Sequence, residues 1–467
     1  MIRNHYISRN EGETAKRMPL ALAPAPTAGV RYPYFVEFVK RSLLKDIRFG
    51  ETEEERAHHL YRGGLVIRTT LVPELQEIAE SATHGTLNRD GDPEAALTSV
   101  DNRTGQIVAM VGGRDFAHNQ FNLASDARRQ PGSAFKVFAL VAALQGRIPP
   151  QTRFDGNPRV FLLPHGEVWP VTNYDGGGGG QVTLWDATVH SVNAAYAELA
   201  TRIGPPSIAL AASQMGIETP INHDYAMVLG GLRNGVNTVE MASAFSSLAN
   251  RGTHIPPTPV SVVEAPGNDR KDFTNSPRPA IPPGVAWMTT EILQEVIQRG
   301  TGRSASLGGR PAAGKTGTTS NHADAWFVGY TPEYSTAVWV GHPQGNIPMY
   351  SVHGVRVAGG TFPAQIWRSY MTGALRNKPV SQFPIADSDM VRVDIVPSTG
   401  KIAGQFCTER KSVELITAIV PEEIEECPEP ASTPSVSDTA SPGDVSSTIP
   451  SADGSPTPPP RPWEGGG

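Results

Sequence analysis

The chain has 467 residues and a formal net charge of −6, from 40 lysines and arginines against 46 aspartates and glutamates. This length exceeds what one hydrophobic core usually fills, so one large domain with accessory segments is expected. Neither charge sign forms long runs, which gives no reason to expect a nucleic-acid partner. No stretch approaches the roughly 18 uninterrupted apolar residues of a membrane span, and the opening MIRNHYISRNEGETAKRMPL lacks the apolar core of a signal peptide.

The order of the predicted elements indicates an α+β fold. Beyond an opening segment rich in Pro and Ala, YFVEFVKRSLLKDI has the apolar spacing of a short docking helix. A strand is predicted in LVIRTTL, and hairpins are predicted in AALTSVDNRTGQIVAMVGG and AWFVGYTPEYSTAVWVGH. Helices are expected to occupy most of the interval from Ser133 to about residue 300. Strands at both ends with helices between them predict an antiparallel sheet packed between helices.

The composition changes near the C-terminus. From Pro428 onward Pro, Ser, Thr and Gly dominate, which predicts a disordered tail. The two cysteines, Cys407 and Cys427, have no Cys or His neighbours at metal-ligand spacing, so no metal site is predicted. A disulfide between them would stabilise the fold by roughly 3 kcal/mol in an oxidising compartment. Two unrelated thiols are the alternative.

The segment RRQPGSAFKVFALVAALQG contains the first candidate site. From 134 to 144 every residue except Lys136 is apolar, so this helix is predicted to be buried on all sides. A lone buried lysine is costly unless a partner pairs with it or it loses its charge. Ser133 lies three residues earlier on the same helical face, which makes Lys136 its candidate base. Pro131 and Gly132 place Ser133 in the first turn, where free N–H groups favour a developing negative charge.

The S-x-x-K spacing is weak evidence when taken alone. Ser42 with Lys45 and Ser398 with Lys401 match the same pattern, and neither pair lies in a buried apolar helix. The surrounding sequence must therefore decide.

A second segment, VTLWDATVHSVNAAYAELATRIG, places Ser191 and Asn193 where one helical pattern gives way to another. This predicts a hydroxyl and an amide on a short connector. Asn193 could equally be an ordinary helix N-cap, and Ser8 with Asn10 repeats the spacing elsewhere.

A third segment, AAGKTGTTSNHADAWFVGYTP, places Lys315, Thr316, Gly317 and Thr318 on a predicted strand. A glycine there lets a ligand backbone come close. The lysine charge, the threonine hydroxyls and an approachable strand edge suit an extended peptide that ends in a carboxylate. A solvated edge strand is the alternative for this segment alone.

Together, S-x-x-K, S-x-N and K-T-G occur in the order typical of penicillin-binding proteins and class A β-lactamases. The chain resembles class A penicillin-binding proteins over roughly residues 30 to 375, and the flanking segments favour transpeptidases over β-lactamases. The resemblance implies the transpeptidase fold that penicillin-binding proteins share with serine β-lactamases. The segments that carry it are RYPYFVEFVKRSLL, LYRGGLVIRTTLVPELQ, RQPGSAFK, VLGGLRNGVNTVEMASAFSSLANRGTHIPPTPV and VAGGTFPAQIWRSYM.

The resemblance implies a D-alanyl-D-alanine transpeptidase that cross-links peptidoglycan stem peptides and is acylated by β-lactams. Ser133 would attack the carbonyl between the two D-alanines, with Lys136 as the likelier of several groups to accept its proton. Ser191 would relay a proton to the departing D-alanine. Lys315 would hold the hydroxyl network in a positive field, and Asn193 would bind the substrate amide.

Three more positions complete the implied site. The hydroxyls of Thr316 and Thr318 would hold the terminal carboxylate, beside Gly317. The backbone N–H groups of Ser133 and Thr318 would form the oxyanion hole, a contribution commonly worth a few kcal/mol per donor. No cofactor and no metal are implied.

The resemblance also suggests a domain organisation. Residues 1–62 are interpreted as the remnant of a preceding domain and linker, 63–390 as the transpeptidase domain, 391–427 as a small C-terminal segment, and 428–467 as the tail. Class A proteins carry a membrane helix and a glycosyltransferase domain ahead of the transpeptidase, so this chain is interpreted as truncated. We therefore assign it no glycan polymerisation. The family's place is the extracytoplasmic face of the bacterial membrane.

Two rival functions remain open from the residues. A carboxypeptidase or β-lactamase would pass the acyl group to water, although no obvious glutamate motif of the class A β-lactamase kind follows Ser191. A β-lactam-binding protein would be acylated once without turnover. A turnover assay with a stem-peptide donor and an amine acceptor separates these alternatives.

Overall fold

The computed structural model describes residues 2–17, 29–267, 269–385 and 390–429. Contacts join the described residues up to Cys427 into one unit. The predicted tail lies outside the described residues from 430 onward, and the proposed boundaries at 62 and 390 remain predictions. Among the described helices, none is long and apolar enough to cross a membrane.

The strands are numbered in chain order. They are β1 (Val66–Thr69), β2 (Glu94–Asp101), β3 (Ile107–Val111), β4 (Arg153–Asp155), β5 (Arg159–Leu162), β6 (Val168–Val171), β7 (Gln181–Thr183), β8 (Thr253–His254), β9 (Val260–Ala265), β10 (Asp269–Asp272), β11 (Arg278–Pro279), β12 (Ala313–Thr318), β13 (Asp324–Tyr330), β14 (Tyr334–Gly341), β15 (Met390–Ile395), β16 (Ile402–Ala403), β17 (Lys411–Ile416) and β18 (Ile424–Glu425).

The α-helices are numbered in the same way, and several begin at a proline, whose fixed φ suits the first helical turn. They are α1 (Arg9–Arg17), α2 (Pro33–Lys45), α3 (Glu53–Arg62), α4 (Pro73–Thr86), α5 (Lys136–Gln145), α6 (Leu184–Val189), α7 (Asn193–Ile203), α8 (Pro205–Met215), α9 (Thr238–Ala249), α10 (Pro283–Gln298) and α11 (Phe362–Ala374).

The central sheet has the strand order β12-β13-β14-β2-β3, and every neighbouring pair is antiparallel. Both of its faces are covered. Along β13, Trp326 and Val328 pack into the cluster that contains α5 and α9, while Phe327 between them packs into the cluster that contains α4 and α11. This alternation follows the two-residue period of a strand, and burial on both faces explains why β13 reads as a continuous apolar run. The predicted antiparallel sheet between helices is confirmed.

Most of the predicted elements form where the sequence pattern places them. The docking helix is α2, which buries Tyr34, Phe35, Val39 and Leu43. The predicted strand is β1, and the predicted hairpins are β2–β3 and β13–β14. The expectation that helices occupy most of the interval from residue 133 to 300 is wrong in part, because β4 to β11 also lie there. These strands are two to six residues long, too short to leave a clear period in the sequence.

The C-terminal segment forms a small sheet of its own with the order β17-β15-β16-β18. Cys407 and Cys427 are joined by a disulfide, which decides a question that the sequence left open. Leu415, Ile416 and Ile419 are buried and belong to the same hydrophobic cluster as α5 and α10. The disulfide therefore closes a segment whose apolar residues are part of the main core.

Trp367 on α11 offers a test of how the sheet is held. Its side chain is fully buried, and its Nε1 donates a hydrogen bond to the carbonyl of Gly329 at 3.1 Å. We expect Trp367→Ala to lower the free energy of unfolding by about 3–5 kcal/mol, because it leaves a large cavity and removes a buried hydrogen bond. Denaturant unfolding measures the loss. Trp287→Ala, at a half-buried position on α10, is the control and should lower the free energy of unfolding clearly less. Equal losses in the two variants would contradict the role of Trp367 in holding the sheet.

Candidate active site

Ser133 lies in a tight turn that is pressed against the end of β12. Residues 132–135 form a single 3-10 turn that runs directly into α5. Gly132 has φ 53°, and a Cβ built there would lie 2.7 Å from the carbonyl oxygen of Thr318. A Cβ at Gly317 would lie 2.1 Å from the carbonyl oxygen of Pro131. Glycine at these two positions is therefore what lets the serine turn reach the strand.

Lys136 begins α5 and is fully buried, as the apolar pattern predicts. Its Nζ donates to the carbonyl of Ser191 at 2.7 Å, to Asn193 Oδ1 at 2.7 Å and to Ser191 Oγ at 3.3 Å. The same nitrogen lies 5.2 Å from the ring centre of Tyr196. The lysine thus reaches the S-x-N segment, 55 residues further along the chain.

Ser191 sits on the connector between α6 and α7, as predicted. Its φ of 58° places it in the left-handed region, which costs a non-glycine residue roughly 1 kcal/mol. Its backbone N–H donates to the carbonyl of Thr188, while its own carbonyl accepts from Lys136. This geometry turns the hydroxyl toward both lysines, because Ser191 Oγ also accepts from Lys315 Nζ at 2.8 Å.

The K-T-G segment lies on β12, an edge strand of the central sheet. Lys315 is fully buried, and its Nζ also donates to the carbonyl of Thr316 at 3.2 Å. The hydroxyl of Thr316 shares a hydrogen bond of 2.7 Å with the hydroxyl of Thr301. The hydroxyl of Thr318 accepts from the backbone N–H of Gly359 at 3.0 Å. The strand edge and two hydroxyls thus lie beside the buried lysine.

The structure joins Lys136, Ser191, Asn193 and Lys315 in one hydrogen-bonded group, places the Ser133 turn against the end of β12, and separates the other motif matches from them. Ser42 donates to the carbonyl of Phe38 on its own helix, and Lys401 pairs with Glu423 at 2.9 Å. Ser8 accepts from the N–H of Glu11. The spacing alone could not distinguish these pairs, whereas burial and tertiary contact do.

The electrostatics of the two buried lysines are unusual. Within the described part of the chain, neither lysine has a carboxylate partner within ion-pair distance. Burial and the neighbouring Lys315 ammonium hold the pKa of Lys136 well below its usual range. Burial lowers the pKa of Lys315 to about 7. Two ammonium groups that share one hydroxyl repel each other, so burial and repulsion together favour the loss of charge at this pair.

A neutral lysine one helical turn from a serine can accept the proton of the hydroxyl. The adjacent Ser191 hydroxyl contacts both lysines and can pass a proton between groups. No group of three or more His, Cys, Asp or Glu side chains able to hold a metal ion occurs among the residues described. A groove of about 800 Å³ between α4 and α11 contains none of the predicted site residues.

Sequence reasoning missed two side chains that support the site. Asn173 Oδ1 accepts from the backbone N–H groups of Asn193 and Ala194, at 3.0 and 3.1 Å. The alternative that Asn193 is itself the N-cap is wrong, because that position is occupied by Val192 and Asn193 is the first helical residue. Thr301 is the other missed residue. Asn173 precedes a glycine run, a signal for a turn but not for a contact 20 residues away.

The comparison with protein families is consistent with this geometry. Residues 95–356, more than half of the chain, match the family model described as "Penicillin binding protein transpeptidase domain". The chain belongs to this family.

Particular relatives are penicillin-binding proteins of the 1A type. The protein named Penicillin-binding protein 1A from Mycobacterium tuberculosis is 35% identical over 347 residues, covering 69% of this chain and 41% of the relative. The protein of the same name from Aquifex aeolicus is 32% identical over 318 residues, covering 68% of this chain and 43% of the relative. The chain thus spans less than half the length of these relatives.

Solved structures confirm the fold. The structure of PonA1 from Mycobacterium tuberculosis in complex with penicillin V has a TM-score of 0.66 and 32% identity, covering 75% of this chain and 95% of that one. Penicillin-Binding Protein 1A from Haemophilus influenzae has a TM-score of 0.70 over 91% of this chain and 82% of that one. Its 19% identity makes it evidence of the fold alone.

The lowered pKa of Lys315 predicts a pH-dependent stability. Its folded value of about 7 lies below the roughly 10.4 of an unfolded lysine, so between these values the unfolded chain binds more protons. The wild-type free energy of unfolding should therefore gain up to roughly 1.4 kcal/mol per pH unit from this group as the pH rises through that window. Lys315→Met lacks this contribution. The free energy of unfolding of Lys315→Met, compared with that of wild type, should therefore be highest below about pH 7. The difference should fall as the pH rises toward about pH 10.

Denaturant unfolding of both proteins at several pH values measures this difference. Lys45→Met, which changes an exposed lysine of α2, serves as the control and should follow the wild-type pH dependence. A constant difference between Lys315→Met and wild type across the window would show that Lys315 stays charged in the folded protein.

Proposed function

We propose that this chain is a serine D-alanyl-D-alanine transpeptidase that cross-links peptidoglycan stem peptides and is acylated by β-lactams. The observation that carries the proposal is the buried Lys136, which begins the helix after Ser133 and lacks an ion-pair partner among the described residues. Membership of the transpeptidase family supports it, as does the penicillin V complex of a relative that is 32% identical.

In the first step, neutral Lys136 accepts the proton of the Ser133 hydroxyl as Oγ attacks the carbonyl carbon between the two D-alanines. The resulting oxyanion is stabilised by the backbone N–H groups of Ser133 and Thr318. The close contact of Gly132 supports this pairing, because a Cβ at Gly132 would lie 2.8 Å from the nitrogen of Thr318.

In the second step, the bond between the carbonyl carbon and the nitrogen of the terminal D-alanine breaks. The proton held by Lys136 passes through Ser191 to the leaving amine. The hydrogen bonds from both lysines to Ser191 Oγ support this relay. An amine of a neighbouring stem peptide then attacks the ester, transfers its proton back to the site and restores the Ser133 hydroxyl.

The donor peptide would lie along the edge of β12, with its terminal carboxylate at the hydroxyls of Thr316 and Thr318. The positive field of Lys315 favours that carboxylate. Asn193 would bind the peptide amide, which requires an exchange of the hydrogen bond that its Nδ2 makes to the carbonyl of Thr172 at 2.9 Å. Since the stem peptides are outside the cytoplasm, we place the activity at the extracytoplasmic face of the bacterial membrane, within a longer membrane-anchored protein with a glycosyltransferase domain.

Incubation with a penicillin tests the nucleophile. Intact-protein mass spectrometry should show a stable adduct of one penicillin, mapped to the peptide that contains Ser133. The adduct should be absent in Ser133→Ala and present in Ser42→Ala, which removes the serine of the S-x-x-K match on α2. A folded wild-type protein without an adduct, or an adduct on another residue, would refute the proposed site.

The protonation state of Lys136 predicts the pH dependence of acylation. A lysine with a lowered pKa is neutral above that pKa, so the acylation rate constant should fall as the pH decreases through it. Lys136→Arg keeps a permanent charge and should acylate about a thousandfold more slowly. Stopped-flow acylation with a chromogenic cephalosporin measures both effects. Equal rates in Lys136→Arg and wild type would exclude Lys136 as the base.

A turnover assay with a stem-peptide donor and an amine acceptor separates transpeptidation from its alternatives. A cross-linked product supports the transpeptidase. Release of D-alanine without cross-linking indicates a carboxypeptidase, and a single acylation without turnover indicates a β-lactam-binding protein.

A further inference from the structure

The loop of residues 172–180, which joins β6 to β7, contacts the first turn of α7 through the side chain of Asn173 and the carbonyl of Thr172. Asn173 Oδ1 accepts from the backbone N–H groups of Asn193 and Ala194 at 3.0 and 3.1 Å. The first N–H groups of a helix have no partner within the helix, and the N-cap residue Val192 has no side-chain acceptor. Asn173 therefore supplies the cap from another part of the chain.

The other end of the same amide is also fully used. Asn173 Nδ2 donates to the carbonyl oxygens of Gly156 and Gly177, at 2.7 and 2.8 Å. Because backbone N–H groups only donate and carbonyls only accept, these four contacts allow one orientation of the side chain. Asn173 is consequently held from both sides and can serve as a fixed point for the helix.

The residue before Asn173 orients the amide of Asn193. The carbonyl of Thr172 accepts from Asn193 Nδ2 at 2.9 Å, which leaves Oδ1 of Asn193 to accept from Lys136 Nζ at 2.7 Å. A continuous series of hydrogen bonds thus runs from the loop, through the first turn of α7, to the buried amine.

We propose that Asn173 is a positioning residue: by capping α7 it sets where Asn193 Oδ1 meets Lys136 Nζ, and so controls the geometry in which Ser133 is acylated. The proposal rests on the function proposed above. Asn173 contacts none of the reacting atoms and acts only through Asn193. Small displacements of a supporting residue can cost one to two orders of magnitude in rate, since proton transfer requires close alignment.

Two substitutions separate the two halves of the amide. Asn173→Ala removes all four hydrogen bonds. Asn173→Asp keeps acceptors for the helix N–H groups, where an aspartate is a favoured cap, but cannot donate to Gly156 and Gly177. The matched control is Asn157→Ala, because the exposed Asn157 accepts from the N–H of Gly180 in the same loop. Among the described residues it makes no hydrogen bond to α7.

The experiment measures penicillin acylation of the full chain against penicillin concentration and pH. We expect Asn173→Ala to lower the limiting rate constant at saturating penicillin by about tenfold or more. Asn173→Asp should keep the limiting rate constant at high pH, with its pH midpoint moved upward, because a nearby negative charge favours protonated Lys136. Asn157→Ala should match wild type in both quantities. A role in stability alone would lower the melting temperature and leave the limiting rate constant and midpoint unchanged.

Three outcomes of this experiment would overturn the inference. Asn173→Ala could have the same limiting rate constant and pH midpoint as wild type, or Asn157→Ala could lose as much of the limiting rate constant as Asn173→Ala. Asn173→Asp could also be as slow as Asn173→Ala at high pH. The last would assign the effect to the loop contacts of Nδ2 instead of the helix cap.

Hydrogen exchange at the amides of residues 193 and 194 tests the cap without acylation. Loss of protection in Asn173→Ala, with protection kept in Asn173→Asp, supports the inference, and equal protection in all variants overturns it. A wild-type chain that forms no acyl-enzyme would refute the proposed function. Amides 193 and 194 that are equally protected with and without Asn173 would refute only the inference.

Discussion

Lys136 and Lys315 are removed from water without a carboxylate partner among the described residues. Taking an ammonium group out of water costs several kcal/mol, so the fold must provide neutral acceptors or leave the amine uncharged. The hydroxyl and carbonyl of Ser191 and the amide oxygen of Asn193 provide those acceptors at 2.7 to 3.3 Å. Because hydrogen bonds tolerate little displacement, this requirement brings three distant segments of the chain to one point.

The surrounding architecture supplies the rigidity that such a meeting needs. The helix that begins with Lys136 is buried on every side, and β12 is held in a sheet covered on both faces. Because β12 is at the edge of the sheet, one side of the K-T-G segment is free of a neighbouring strand, while the side chain of Lys315 is fully buried. Low solvent access favours the neutral form of Lys136 and strengthens each polar contact around it. The same burial that is costly for stability thus prepares the site for acyl transfer.

The fold was largely predictable from the sequence, because its main elements are long and strongly patterned. The central hairpins alternate or run apolar over seven or eight residues in their longer strands, and α5 is apolar at every buried position but one. The short strands between residues 153 and 279 were not predictable. Their pairing depends on contacts between segments that are individually too short to show a period. The disulfide was left open because spacing alone does not reveal whether two cysteines meet.

The sequence by itself determined the chemical groups of the site: a serine three residues before a lysine in an apolar helix, a second serine with an asparagine, and a lysine on a strand. Tertiary structure distinguished the several identical spacings, because Lys136 of the Ser133 match hydrogen-bonds to Ser191, which also contacts Lys315. Ser42 and Lys401 of the other matches have partners elsewhere. It also decided the contacts of Asn173, whose hydrogen bonds join the loop to the first turn of α7. The physical reason is that both effects depend on groups that only folding brings together. Burial by distant segments lowers the pKa of a lysine, and a distant side chain accepts hydrogen bonds from the free N–H groups of a helix.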